Sequence, residues 1–160
     1  MKPAFDSVAS YVTENCWPSN QTDSPVQVRT YVCTKNGHWA FTAIIDVAGK
    51  TIAFHSICPL QVPVDRQTKV AEFLVLANRG TFGRGFLLDF ECARVRYITQ
   101  MQLPVESGRP EVEKEVKATV RQMVKKNLAV MDRYLPGIIK VISSDATPAE
   151  AYAAVEPGMR

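Results

Sequence analysis

A chain of 160 residues, 46% apolar and 22% charged, has the length of about one domain and an ordinary globular composition, which excludes a disordered, collagen-like or disulfide-rich protein. Nineteen Lys and Arg against sixteen Asp and Glu give a net charge of +3, too little to imply a nucleic-acid partner by itself. The start, Met1 to Ser7, lacks the apolar run of an export signal, and no stretch approaches the roughly 20 apolar residues of a membrane span. The sequence therefore predicts one cytoplasmic domain over residues 1–160.

Phe5, Val8, Ala9 and Val12 recur at helical spacing and predict a short first helix ending before Trp17-Pro18; the polar stretch Ser19 to Pro25 reads as a loop. Three segments rich in β-branched and aromatic residues follow, Val26 to Thr34, His38 to Val47 and Lys50 to Cys58, separated by Asn36-Gly37 and by Gly49. Asn-Gly between alternating runs is a strong hairpin signal, so the segments predict a three-stranded antiparallel meander. A two-residue turn at Asn36-Gly37 sets Val32 opposite Phe41, Val28 opposite Ile45 and Cys33 opposite Ala40. The same parity at Gly49 sets Phe41, Ala43 and Ile45 beside Ser56, Phe54 and Ile52. One face is then mostly apolar, with Val26, Val28, Val32, Trp39, Phe41, Ile45, Val47, Ile52 and Phe54. The other, with Gln27, Arg29, Tyr31, His38, Thr42, Asp46 and His55, is mixed.

From Asp65 the period becomes helical, with Val70, Phe73, Leu74 and Ala77 on one stripe until Gly80. A second hairpin is predicted over Phe86 to Glu91 and Arg94 to Leu103. Pairing across Cys92-Ala93 aligns Phe90 with Val95, Leu88 with Tyr97, Asp89 with Arg96 and Glu91 with Arg94. Pro110 opens a long helix with Glu111, Glu113 and Glu115 at its positive end. Val112, Val116, Val120, Met123, Leu128, Met131 and Leu135 form its stripe, and Pro136-Gly137 predicts its end. Thr147-Pro148-Ala149-Glu150 has capping-box spacing and starts a short helix through Val155. The predicted class is α+β, in the order α-βββ-α-ββ-α: an antiparallel sheet of about five strands with helices packed on it.

This order, together with Leu76-Ala77-Asn78-Arg79-Gly80, Gly85-Phe86-Leu87-Leu88-Asp89, Val95-Arg96-Tyr97, Asp132 to Pro136 and Thr147 to Ala151, resembles the YbjN family and its wider type III secretion chaperone-like superfamily. The resemblance covers roughly Asp65 to Val155, and its motifs are structural rather than catalytic. It implies an antiparallel sheet backed by helices and a role in binding protein, because secretion chaperones of this fold are dimers that hold extended client segments. Some YbjN relatives are described as regulators of sensory transduction. Those chaperones tend to be acidic, whereas this chain is slightly basic.

No residue pattern points to catalysis, and no cofactor is implied. Cys16, Cys33, Cys58 and Cys92 lack zinc-site or Cys-x-x-Cys spacing, and the strand parity puts Cys33 and Cys58 on opposite faces. His38 and His55 fall four residues apart along the meander, roughly 13 Å, too far to share a metal. Gly80-x-x-Gly83-x-Gly85 follows a helix and precedes a strand, the reverse of a phosphate loop. Eight basic residues against four acids between Arg109 and Lys140 give the long helix region +4. Tyr134 is its one aromatic and no groove-fitting motif accompanies it, so a nucleic-acid partner is not expected.

Tyr31, Ala40, Ile44, Ile57, Leu87 and Ile98 fall on the mixed faces, where helices on one side only would leave an apolar patch suited to a dimer or client. The sequence thus predicts a non-enzymatic protein-binding module with a protein client or regulatory partner, as a homodimer. The alternatives are a small-molecule-binding regulator or enzyme with an unrecognised pocket, and weak nucleic-acid binding through the basic helix.

Overall fold

A computed structural model describes residues 10, 14, 19–23, 26–46, 48, 50–79, 85–104 and 109–156. Six antiparallel strands form one sheet: β1 (Ser19–Asp23), β2 (Val26–Cys33), β3 (His38–Asp46), β4 (Thr51–Gln61), β5 (Phe86–Asp89) and β6 (Arg94–Gln102), in the order β1-β2-β3-β4-β6-β5. Helices α1 (Gln67–Ala77), α2 (Pro110–Ser143) and α3 (Pro148–Val155) complete the α+β fold. Among the described residues no helix is long and apolar enough to cross a membrane. The expected first helix falls mostly outside them; Ser10 and Glu14 are helical, and Glu14 pairs with Arg121 of α2 at 2.5 Å.

The expected five strands are present and a sixth joins them. The stretch read as a loop, Ser19 to Pro25, supplies β1, which pairs along β2 from Ser19 opposite Thr30 to Asp23 opposite Val26. Its sequence, SNQTD, carries no apolar alternation, so it is a strand by backbone pairing and not by side-chain pattern.

The β3–β4 register is the expected one, with Phe41, Ala43 and Ile45 opposite Ser56, Phe54 and Ile52. Both other hairpins are shifted by two residues. Val32 faces Trp39, Val28 faces Ala43 and Cys33 faces His38, because the turn centres on Lys35-Asn36 and the Thr34 amide donates to the Gly37 carbonyl at 2.8 Å. In the second hairpin Phe86 faces Tyr97, Leu88 faces Val95 and Asp89 faces Arg94. There a four-residue turn over 90–93 is held by the Asp89 carboxylate, which accepts the Glu91 and Cys92 amides at 3.0 and 3.4 Å. Phe90 is consequently 70% exposed. A two-residue slip keeps every side chain on its face, so Val28, Val32, Trp39, Phe41, Ile45, Ile52 and Phe54 are buried as expected.

Helix α2 does not stop at Pro136-Gly137. It runs to Ser143, and the sheet compensates for the proline. Pro136 has no N–H for the Asp132 carbonyl; Asn36 Nδ2 donates to that oxygen instead, at 3.1 Å. The Asp132 carboxylate takes the Thr34 hydroxyl at 2.5 Å and the Asn36 amide at 3.0 Å. A Cβ on Gly37 would lie 2.7 Å from Leu135 Cδ2, so glycine is needed there for the close approach of turn to helix. Gly137 does the same on the other side, where a Cβ would meet Phe73 Cζ at 2.6 Å. Helix α1 ends at Asn78, whose side chain pairs reciprocally with the Phe86 amide and carbonyl, both at 2.8 Å. The Thr147–Glu150 capping box starts α3 as expected.

The core lies between the helices and the face bearing Phe41, Phe54 and Val95. Its centre contains one buried amide. Asn127 of α2 accepts from Ser56 Oγ at 2.7 Å and donates to Thr99 Oγ1 at 3.0 Å and the Phe54 carbonyl at 3.1 Å. Ser56 Oγ in turn accepts from Trp39 Nε1 at 2.9 Å. Removing one member of a buried network strands the others. Asn127→Ala is expected to cost about 3 kcal/mol, read as the shift in denaturant unfolding at neutral pH; a loss below about 1 kcal/mol would mean the network is dispensable.

Candidate functional site

The face of the sheet opposite the core is crossed by one continuous row. Tyr31 pairs with Ala40, Ala40 with Ile57, Ile57 with Arg96 and Arg96 with Leu87. Four of the six residues expected in an apolar patch therefore stand in a single line across β2, β3, β4, β6 and β5. Tyr31 is 63% exposed and Leu87 40%, while Ala40 and Ile57 are half-buried. Ile44 lies two rows away, beside Gln27 and Ala53, and is half-buried. Ile98 differs from expectation: it is 5% exposed. It lies opposite His55, and its amide binds the Gly85 carbonyl at 3.0 Å, so the chain entering β5 flanks it as a further strand would.

Beside the row is an open depression of about 410 Å³, floored by Ala40 and Ile57 and bordered by Arg29, Tyr31, His38 and Arg94. An irregularity in β4 shapes it. The β4–β6 ladder shifts register between Ile57 and Gln61, and the β3–β4 pairing ends at Ile57, before Pro59, which has no N–H to contribute on that side. The freed Cys58 and Pro59 carbonyls accept from Arg94 Nη1 at 3.1 and 2.5 Å, which fixes that guanidinium at the rim. Arg96, also at the rim, pairs with Asp89 at 2.7 Å, and its Nη2 lies 3.6 Å from Cys92 Sγ. The sequence marks Arg96 and Arg94 as cross-strand partners of Asp89 and Glu91 and not as site residues; the Asp89–Arg96 ion pair is present, and the two arginines stand at alternate strand positions and so share a face.

Among the described residues the remaining candidates stay apart, except that Cys33 stands opposite His38 across β2 and β3. Cys33 is exposed on the mixed face and Cys58 buried on the core face, as the parity requires; burial pushes the Cys58 thiol up. Cys16 and residues 80–84 of the glycine loop are outside the described residues. His55 faces Thr42, four residues along β3 from His38, as expected. Among the described residues no three His, Cys, Asp or Glu side chains converge as a metal site would require. Tyr134, the aromatic of the basic helix, is buried against Phe73, Phe86 and Tyr152. Burial, with Glu156 accepting its hydrogen bond, raises its phenol. It therefore offers no stacking surface on the outside of α2.

No family model matches the chain, and no curated protein matches it either.

Asp89 gives the site a pH dependence. Burial alone would raise its carboxyl. Hydrogen bonds from the Cys92 thiol and from the Cys92 and Glu91 amides, with Arg96 beside it, outweigh this and hold it below the usual carboxylate range. The folded state thus binds fewer protons than the unfolded one in this window, and the stabilisation present above the unfolded value, about 4, is lost as pH falls through the lower folded value. Asp89→Asn should melt below wild type at pH 6, with the difference closing between about pH 4 and the lower folded value. A melting-temperature gap unchanged down to pH 2 would contradict this origin.

Proposed function

We propose that the chain is a non-enzymatic protein-binding module that holds a segment of another polypeptide on the sheet face away from the helices. The observation that carries this reading is the row Tyr31, Ala40, Ile57 and Leu87, two of whose members are large apolar residues facing solvent across four strands' separation. Tyr31 and Leu87, exposed at the two ends of one line with Ala40 and Ile57 between them, offer a surface that a partner would cover. The resemblance to YbjN-type and secretion chaperone-like proteins supports the same reading. A homodimer belongs to the proposal, and sedimentation equilibrium at high concentration tests it; a strict monomer counts against it.

Peptide display tests the binding role. Panning a random library on the full chain should enrich peptides whose binding is lost in both Tyr31→Asp and Leu87→Asp. Each variant should stay within about 1 kcal/mol of wild-type stability, since both side chains are exposed. Enrichment indifferent to both substitutions would overturn the assignment of this face. Thermal stabilisation by a nucleotide or metabolite, with no peptide enriched, would replace it with the small-molecule reading.

A further inference from the structure

The depression beside the row is cationic, and its charges are unequally balanced. Arg29, Arg94 and Arg96 border it, with the His38 imidazole beside them, and among the described residues no carboxylate lines it. Arg96 is matched by Asp89. Arg94 is held only by two backbone carbonyls, both at Nη1, which orient its charge without neutralising it and leave Nε and Nη2 without a hydrogen-bond partner among the described residues. Arg29 is exposed and makes no ion pair among the described residues. A guanidinium pinned at one nitrogen and open along its other edge is pre-organised for a carboxylate, because less freedom is lost when the bond forms.

Arg29 and Arg94, which make no ion pair among the described residues, are far apart. Arg29 is on β2 and Arg94 on β6, three strand spacings away, and the register sets Arg29 level with Ile98, four residues from Arg94. On a flat sheet their Cα atoms are roughly 20 Å apart. An extended chain of about six residues spans both, at about 3.3 Å per residue, and passes over the apolar floor between them. A second copy docked face to face is disfavoured, because an isologous contact brings these arginines toward their own equivalents. A nucleic-acid strand would want several stacking platforms, and the row offers Tyr31 alone among aliphatic side chains.

We propose that this depression binds an extended acidic peptide segment, with carboxylates on Arg29 and Arg94 and apolar side chains against Tyr31, Ala40 and Ile57. The inference rests on the protein-binding reading and adds the chemistry of the partner.

The test is an NMR titration of the isotope-labelled full chain with a peptide of about eight residues that has an apolar centre and two Glu at each end. The controls are the same peptide with Gln for every Glu, inorganic phosphate, and an oligouridylate. The acidic peptide should shift the Tyr31, Ala40 and Ile57 amides and the Arg29 and Arg94 Nε–Hε signals. Exchanging Glu for Gln should weaken binding about tenfold, and Arg29→Gln should do likewise, as expected for loss of a charge-assisted hydrogen bond. Added salt should weaken it further. Arg29 is exposed and makes no ion pair among the described residues, so Arg29→Gln should leave the amide spectrum otherwise unchanged. Equal binding of the Gln peptide, lost in Leu87→Asp, would overturn the acidic specificity while leaving a peptide-binding face. Shifts at these residues from phosphate or oligouridylate but not from the peptide would overturn the proposal outright, as would no shift with any of the four.

Discussion

The buried amide of Asn127 is the constraint on which the rest of the molecule depends. A helix packed on a sheet through apolar contacts alone can slide and rotate with little change in buried area, because the hydrophobic effect has no direction. Asn127 removes that freedom. Its carboxamide is matched to Ser56, Thr99 and the Phe54 carbonyl on two neighbouring strands, and only one position of α2 satisfies all three. Trp39 closes the set by donating to Ser56, so a third strand shares the same lock.

With that position set, the next turns of α2 meet their partners. Asp132, about 7.5 Å further along the axis, reaches the β2–β3 turn and holds it through Thr34 and Asn36. Gly137 lies where α1 crosses, close to Phe73. At the same level Arg133 and Tyr134 bind Glu156 beyond α3. The helix can carry Pro136 in its interior because the turn it docks against supplies the donor that proline lacks. Neither partner would hold this geometry alone: without the turn the Asp132 carbonyl is unpaired, and without Asp132 the turn has no fixed centre.

That mutual dependence marks the boundary of what the residues disclose in order. Period-two alternation told which side chains share a face, and a slip of two residues in the hairpins at Asn36 and Asp89 left those faces intact. The slips themselves were not legible, because tertiary contacts decide both turns. Asn36-Gly37 reads as a turn dipeptide, yet Asn36 is there to bind Asp132 and Gly37 to let Leu135 approach. Pro136-Gly137 reads as a helix end for the same reason: the compensating donor is about a hundred residues away in sequence. Asn127 sits among charged and apolar helix residues with nothing local to mark it as buried. At the candidate site, parity alone collected Tyr31, Ala40, Ile57 and Leu87. Ile98 shares that face by parity and is nevertheless buried, because alternation fixes the face of a side chain and not what covers it.

The same irregularity that interrupts the sheet also builds the site. Were β4 regular from Thr51 to Gln61, the Cys58 carbonyl would pair with β6 and the Pro59 carbonyl would point to β3. The register shifts between Ile57 and Gln61 instead, and the Cys58 and Pro59 carbonyls both turn to Arg94. Arg94 is thereby held at the margin instead of sweeping through solvent, and the step in β4 leaves the hollow beside Ile57. On the other face, Cys58 stays buried in the core, so the bulge changes one surface without disturbing the other. A feature that weakens the sheet thus fixes a cation and opens a concavity at one place, and this coincidence, more than the apolar row alone, distinguishes the face from an ordinary solvated sheet.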